Sequence, residues 1–151
     1  MVSRYERLSF SISEIHRYLH SIAADEMKKY GLKGPYAIYL LTLNRYDNGI
    51  TSSELSDITC RNKADVSRAM TAMEMGGLVR REGSSYRAKL YLTDEGRRIA
   101  SNIGESAKIA VEIGGKGLTE EQKETMYYAM DVIAENLRHV SVKGLPVSDS
   151  K

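Results

Sequence analysis

Apolar residues near the N-terminus of this chain recur at helical spacing: Leu8, Ile12, Ile15, Leu19 and Ile22 step by four, three, four and three. That rhythm predicts a single apolar stripe along a long helix. It returns near the other end at Met126, Met130, Ile133, Leu137 and Val140, after Thr119-Glu120-Glu121-Gln122. There the threonine hydroxyl can cap the backbone N–H of Gln122 while the Gln122 side chain reaches back to that of Thr119, a capping box. Between these ends, residues 33–45 carry Tyr36, Ile38, Tyr39, Leu40, Leu41 and Leu43, apolar almost all round, which predicts a buried central helix starting at Gly34-Pro35.

From Thr51 onward the pattern shortens. Thr51 and Glu54 form a second capping box, and Leu55 and Ile58 share one face of the helix it opens. After the turn Thr59-Cys60-Arg61, Asn62 caps another helix in which Val66, Met70 and Met73 point inward. Its outer stripe is then Lys63, Ala64, Ser67, Arg68 and Thr71, ended by Gly76-Gly77. Residues 78–82 and 87–92 read as paired strands, with Leu90 and Leu92 alternating with Lys89 and Tyr91 and with Gly83 to Tyr86 as the tip. Asp47-Asn48-Gly49 is a turn leading to Ile50, positioned to add a third strand. Residues 93–113 read as a long connecting helix capped by Thr93, with Asp94 and Glu95 in its first turn and Gly114 to Gly117 beyond its end.

This order predicts a mainly α fold with a small β-wing: two short helices across a tight turn, then a ribbon, between long terminal helices. Small and cationic side chains on the second short helix suit a major groove. Small residues let the backbone approach the base pairs, arginine forks onto guanine, and serine or threonine bonds bases or phosphates. The ribbon's Arg80, Arg81, Arg87 and Lys89 suit a phosphate backbone or a minor groove.

The charge distribution sharpens this reading. The 151 residues have a net charge of only +2, yet residues 61–98 hold nine Lys/Arg against five Asp/Glu. The remainder then holds 13 against 15, so positive charge gathers where the DNA surface is expected. A composition of 42% hydrophobic and 28% charged residues argues against a disordered chain. No apolar run approaches the roughly 20 residues of a membrane span, and residues 1–12 lack a secretory apolar core, so the cytoplasm is the expected compartment.

These residues resemble the MarR (multiple antibiotic resistance regulator) family of winged-helix repressors over nearly the whole chain. The recognition-helix pattern K-x-x-V-x-R falls on Lys63-Ala64-Asp65-Val66-Ser67-Arg68, the G-L-V junction on Gly77-Leu78-Val79, and L-T-x-x-G on Leu92-Thr93-Asp94-Glu95-Gly96. One departure is the wing tip: the place where the family often has D-x-R reads Ser84-Ser85-Tyr86, with Arg87 one position off. The resemblance therefore leaves the wing-tip role to Arg87 or Tyr86.

The resemblance also implies a homodimer knitted through the first and last helices, reading a pseudo-palindromic site on double-stranded DNA as a repressor. A single winged helix buries little DNA surface, so pairing makes energetic sense. The chain then divides into an N-terminal dimerisation helix (1–32), a DNA-binding lobe (33–98), connecting and C-terminal dimerisation helices (93–140) and a flexible tail (141–151). A cavity between the dimer helices and the lobe is implied for a small-molecule effector, an aromatic acid or other amphipathic anion. His16, Tyr36 and Tyr39 are its candidate contacts, because each combines an apolar body with a polar tip.

Other chemistries find less support. Glu14, His16 and His20 are close in sequence and the histidines have a metal-compatible i, i+4 spacing, but no third ligand follows. There is no H-E-x-x-H, no phosphate-binding loop and no nucleophile elbow, so neither an enzyme nor a bound cofactor is expected. Cys60 is the single cysteine, which excludes a disulfide within one chain; it is expected to be buried and inert. The rival from another class is a winged-helix protein-interaction module that leaves DNA alone. Its usual lack of a cationic wing and a small-residue stripe together distinguishes it from this sequence.

Overall fold

The computed structural model describes residues 2–146, and Tyr86 by its backbone alone. The last five residues of the expected tail, 147–151, lie outside the described residues. Two compact units are present, Met1–Val111 and Glu112–Lys151.

In the first unit, α1 (Arg4–Lys28) begins at a Ser3–Glu6 capping box that precedes the predicted apolar stripe. Only Met27 of α1 is buried, and Leu8, Ile12, Ile15, Leu19 and Ile22 all stand exposed. The central helix α2 is shorter than expected, Tyr36–Leu43. Pro35 occupies its N-cap, and Lys33 and Gly34 form the turn before it, accepting hydrogen bonds from the N–H groups of Tyr36 and Ala37.

Strand β1 (Ile50–Thr51) runs directly into α3 (Ser52–Thr59), and α4 (Lys63–Met75) follows a three-residue turn. Strands β2 (Val79–Glu82) and β3 (Lys89–Leu92) complete an antiparallel sheet of order β1-β3-β2. Ile50 pairs with Leu90 and Val79 with Leu92, so the predicted third strand forms. The return strand is shorter than the sequence pattern suggests, because residues Ser85–Arg87 close into one 3-10 turn.

The core lies where α2, α3, α4 and the sheet converge. Met27, Leu40, Leu55, Val66, Met70, Met73 and Leu90 are essentially inaccessible there. Gly77 leaves α4 with φ of 73°, a left-handed conformation that a side chain would resist. Helix α5 (Asp94–Gly114) then starts under a Thr93 cap: the Thr93 hydroxyl accepts from the Gly96 N–H at 3.1 Å and donates to the Gly77 carbonyl at 2.6 Å.

In the second unit, α6 (Glu120–Lys143) opens at the predicted Thr119–Gln122 capping box. None of its residues is buried, so Met126, Met130, Ile133 and Leu137 are all open to solvent. Residues 141–143, assigned by sequence to the tail, instead continue this helix up to Gly144.

Candidate nucleic-acid interface

The short helices are held at their junction by local hydrogen bonds. The Thr51 hydroxyl accepts from the Glu54 N–H at 3.2 Å, and the Glu54 carboxylate accepts from the Thr51 N–H at 2.7 Å. The Thr51 N–H foremost, and the Thr51 hydroxyl donating to the same carboxylate at 2.9 Å, hold the Glu54 carboxyl below its ordinary range. Cys60 ends α3 at φ of 52°, where the chain reverses. The Arg61 N–H then donates to the Ser56 carbonyl at 3.1 Å, and the buried Ser56 hydroxyl donates to the Arg61 carbonyl at 2.6 Å. Asn62 caps α4 by accepting from the Asp65 N–H at 2.8 Å.

This junction fixes the roll of α4. Val66, Ala69, Met70 and Met73 face the core, and Lys63, Ala64, Ser67, Arg68 and Thr71 form the exposed stripe. Arg68 is 72% exposed at its side chain and makes an ion pair with Asp65, one turn earlier.

The wing separates its cations by strand alternation. Arg81 stands opposite Leu90, on the inward face of the ribbon, and its Nε donates to the Glu74 carboxylate of α4 at 2.8 Å. Arg80 stands opposite Tyr91 on the other face, 4.4 Å over that ring and paired with Glu82. Lys89 shares this outer face and donates to the Asn48 carbonyl at 3.2 Å. Arg87 is exposed at the tip.

A cleft of about 310 Å³ joins α4, the wing and the N-terminus of α3. It brings together Lys63, Ser67 and Arg81 of the predicted residues, and adds Ser52, Ser53 and Ser85. The two serines at the start of α3 escaped sequence reasoning, although they directly follow the Thr51 cap, where backbone N–H groups are unsatisfied and favour anions. Arg80 and Lys89 do not reach this cleft.

A larger cavity, about 530 Å³, opens within the first unit among α1, α2, the turn before α4 and α5. Its wall is mostly apolar, with Leu19, Ile22, Ile38, Leu41 and Ile103, and its polar lining holds His16, His20, Thr59, Arg61 and Glu26, whose carboxylate is engaged by Lys29 and Ser106. Arg61 Nη2 lies 3.4 Å from His20 Nε2, and the two histidine rings are 4.1 Å apart. Burial foremost, then His16 and Arg61, lower the His20 pKa.

Of the three expected effector contacts, only His16 lines this cavity. Tyr39 is 3% exposed in the core, and Tyr36 packs at the core's edge, because both rings turn inward from α2. His20 and Arg61, which the sequence did not suggest as effector contacts, line it as well. Cys60 is also a correction: it is exposed rather than buried, since the left-handed turn carries it to the surface.

Among the described residues, no three His, Cys, Asp or Glu side chains group as a metal site, and no helix is long and apolar enough to cross a membrane.

No protein-family model matches the chain. It is 26% identical over 130 residues to the uncharacterised HTH-type transcriptional regulator YybA of Bacillus subtilis (strain 168), covering 83% of this chain and 85% of that one. Its fold superposes with a TM-score of 0.81 on a protein assigned to the MarR family of transcriptional regulators, from Listeria monocytogenes, complexed with 26mer DNA. The identity there is 26%, with 91% of this chain and 95% of the other covered. CouR from Rhodococcus jostii RHA1, bound to p-coumaroyl-CoA, shares the fold at a TM-score of 0.74 and 16% identity, over 84% of this chain and 91% of its own. With the α3-turn-α4 geometry and the three-stranded wing, these likenesses give the chain the winged helix-turn-helix fold of MarR-family transcriptional regulators, and support a DNA-binding transcriptional regulator.

Proposed function

We propose that the chain is a homodimeric repressor that lays two copies of α4 into successive major grooves of a pseudo-palindromic operator. The observation that carries this reading is the exposed stripe of Lys63, Ala64, Ser67, Arg68 and Thr71 beside a cleft holding Arg81. Arg68 reads a base, and Lys63, Ser67, Arg81 and the serines at the start of α3 seat phosphates. Arg87 reaches the flanking backbone or minor groove from the wing tip. Arg80 and Lys89, on the outer ribbon face, contribute long-range attraction.

The dimer rests on the apolar stripes that α1 and α6 leave exposed, since such patches rarely remain open on a soluble chain. Two-fold pairing matches operator symmetry, with half-sites about 34–36 Å apart. Occupancy of the operator then blocks transcription.

For release, the reading assigns the 530 Å³ cavity to an amphipathic anion whose apolar body lies among Leu19, Ile38 and Ile103. Its acidic group meets Arg61 and the histidines. Arg61 directly precedes Asn62, the cap of α4, so a ligand preferring a different Arg61 position would bias the recognition helix.

The test is selection of bound duplexes from a random-sequence library by the full chain, with mass measured by light scattering. A two-fold symmetric motif bound by a dimer is expected. A monomer, or selection of no motif, would overturn the proposal.

A further inference from the structure

The arginine placed to read a base is already engaged by a carboxylate on its own helix. Asp65 divides its oxygens: Oδ1 pairs with Arg68 and Oδ2 accepts from the Asn62 side chain. The cap itself does not need that carboxylate, because Asn62 receives the Asp65 backbone N–H. Asp65 is also about half exposed, one helical turn before Arg68 at the flank of the stripe that would face DNA. Its charge suits the first turn of α4, where the helix dipole favours an acid, but burial does not demand it and the backbone bond of the cap does not use it.

We infer that Asp65 is a specificity-determining positioning residue, which holds Arg68 away from phosphates until a correctly placed guanine is offered. This rests on the reading of α4 as the recognition helix. On a non-operator duplex, Arg68 gains one phosphate contact only by leaving Asp65, and Asp65 is left facing the phosphates. The two effects together cancel most of the gain. On the operator the ion pair is kept: Asp65 holds Arg68 through Nη2, and the remaining N–H groups of the guanidinium bond guanine O6 and N7. Asp65 thus penalises wrong sequences more than the right one, which is how discrimination is built by repulsion as well as attraction. The neighbouring ion pair Arg80–Glu82 has similar chemistry on the outer face of the ribbon and supplies the contrast.

Asp65→Asn keeps the cap and the shape and removes the charge. Equilibrium binding of the full chain would be measured on its library-selected duplex and on a scrambled duplex of equal length. Affinity for the scrambled duplex is expected to rise about three- to fivefold, the scale of one exposed ion pair, with selected-site affinity within about twofold. Glu82→Gln should leave the ratio of the two affinities unchanged, and so should Asp65→Asn in an Arg68→Ala background. An unchanged ratio for Asp65→Asn alone, an equal rise on both duplexes, or the same change without Arg68, would overturn the inference. If the unaltered protein selects no duplex, the recognition-helix reading fails instead, and this inference fails with it.

Discussion

The carbonyl oxygen of Leu78 lies so close over Gly96 that a Cβ there would sit 2.1 Å from it. The start of the wing and the first turn of α5 are thereby locked together, with the Thr93 N–H donating to the same carbonyl at 3.0 Å. Neither partner can yield, because both are backbone. Gly96→Ala is expected to destabilise the fold by about 2–3 kcal/mol or more, at the upper end of overpacking costs. Urea unfolding would measure it; a loss under about 0.5 kcal/mol, the range of ordinary surface changes, would show that the lock is soft.

The recognition stripe and the wing should respond differently to loss of charge. Arg68→Ala is expected to cost roughly 1–3 kcal/mol on the selected duplex and to relax preference at one base pair, whereas Arg81→Ala weakens all sequences alike. Arg80→Ala should weaken binding less than Arg81→Ala, because Arg80 sits on the outer ribbon face over Tyr91. Titrations on selected and scrambled duplexes, repeated at several salt concentrations, separate these roles. Equal losses for Arg80 and Arg81 would contradict the division of the two ribbon faces.

Subunit pairing is expected to depend on the α1 stripe. Ile15 is 59% exposed, and burying such a side chain in an interface is worth about 1.5–3 kcal/mol. Ile15→Asp should therefore raise the dimer dissociation constant by at least about tenfold. Sedimentation of the variant over a concentration series reads this directly, and an unaltered dimer would place the interface elsewhere.

His20 should titrate below an ordinary histidine, since burial and the charges of His16 and Arg61 oppose its protonation. The unfolded chain takes up that proton first as pH falls. The stability tied to neutral His20 is thus intact above the ordinary histidine value and is lost as pH falls from there through the lower midpoint of the folded protein. Proton NMR of the His20 ring would give the midpoint, and His20→Gln should flatten this part of the stability profile. Benzoate, used as an anionic probe of the cavity, is expected to move the midpoint upward. A midpoint at or above the ordinary value in the free protein would contradict the burial of the ring beside Arg61.

What was legible in the sequence was local. Thr51 and Glu54, Asn62, and Val66 with Met70 and Met73 reveal themselves over one to three helical turns, because caps and periodic faces are made between near neighbours. The ribbon's alternation was equally plain at Leu90 and Leu92, but the sequence grouped Arg80 and Arg81 on one DNA surface, and the strand register parts them to opposite faces. The 3-10 turn at Ser85–Arg87 was not legible, since no hydrophobic period marks so short a reversal.

The chain alone determined the order of elements, the inward face of α4 and the place where positive charge gathers. Tertiary packing decided the rest. Tyr39 is buried and His20 faces the cavity because distant segments meet: Arg61 lies 41 residues from His20 in sequence, yet their nitrogens are 3.4 Å apart. A side chain's surroundings depend on which helices cross above it, and no local pattern of polarity encodes that crossing.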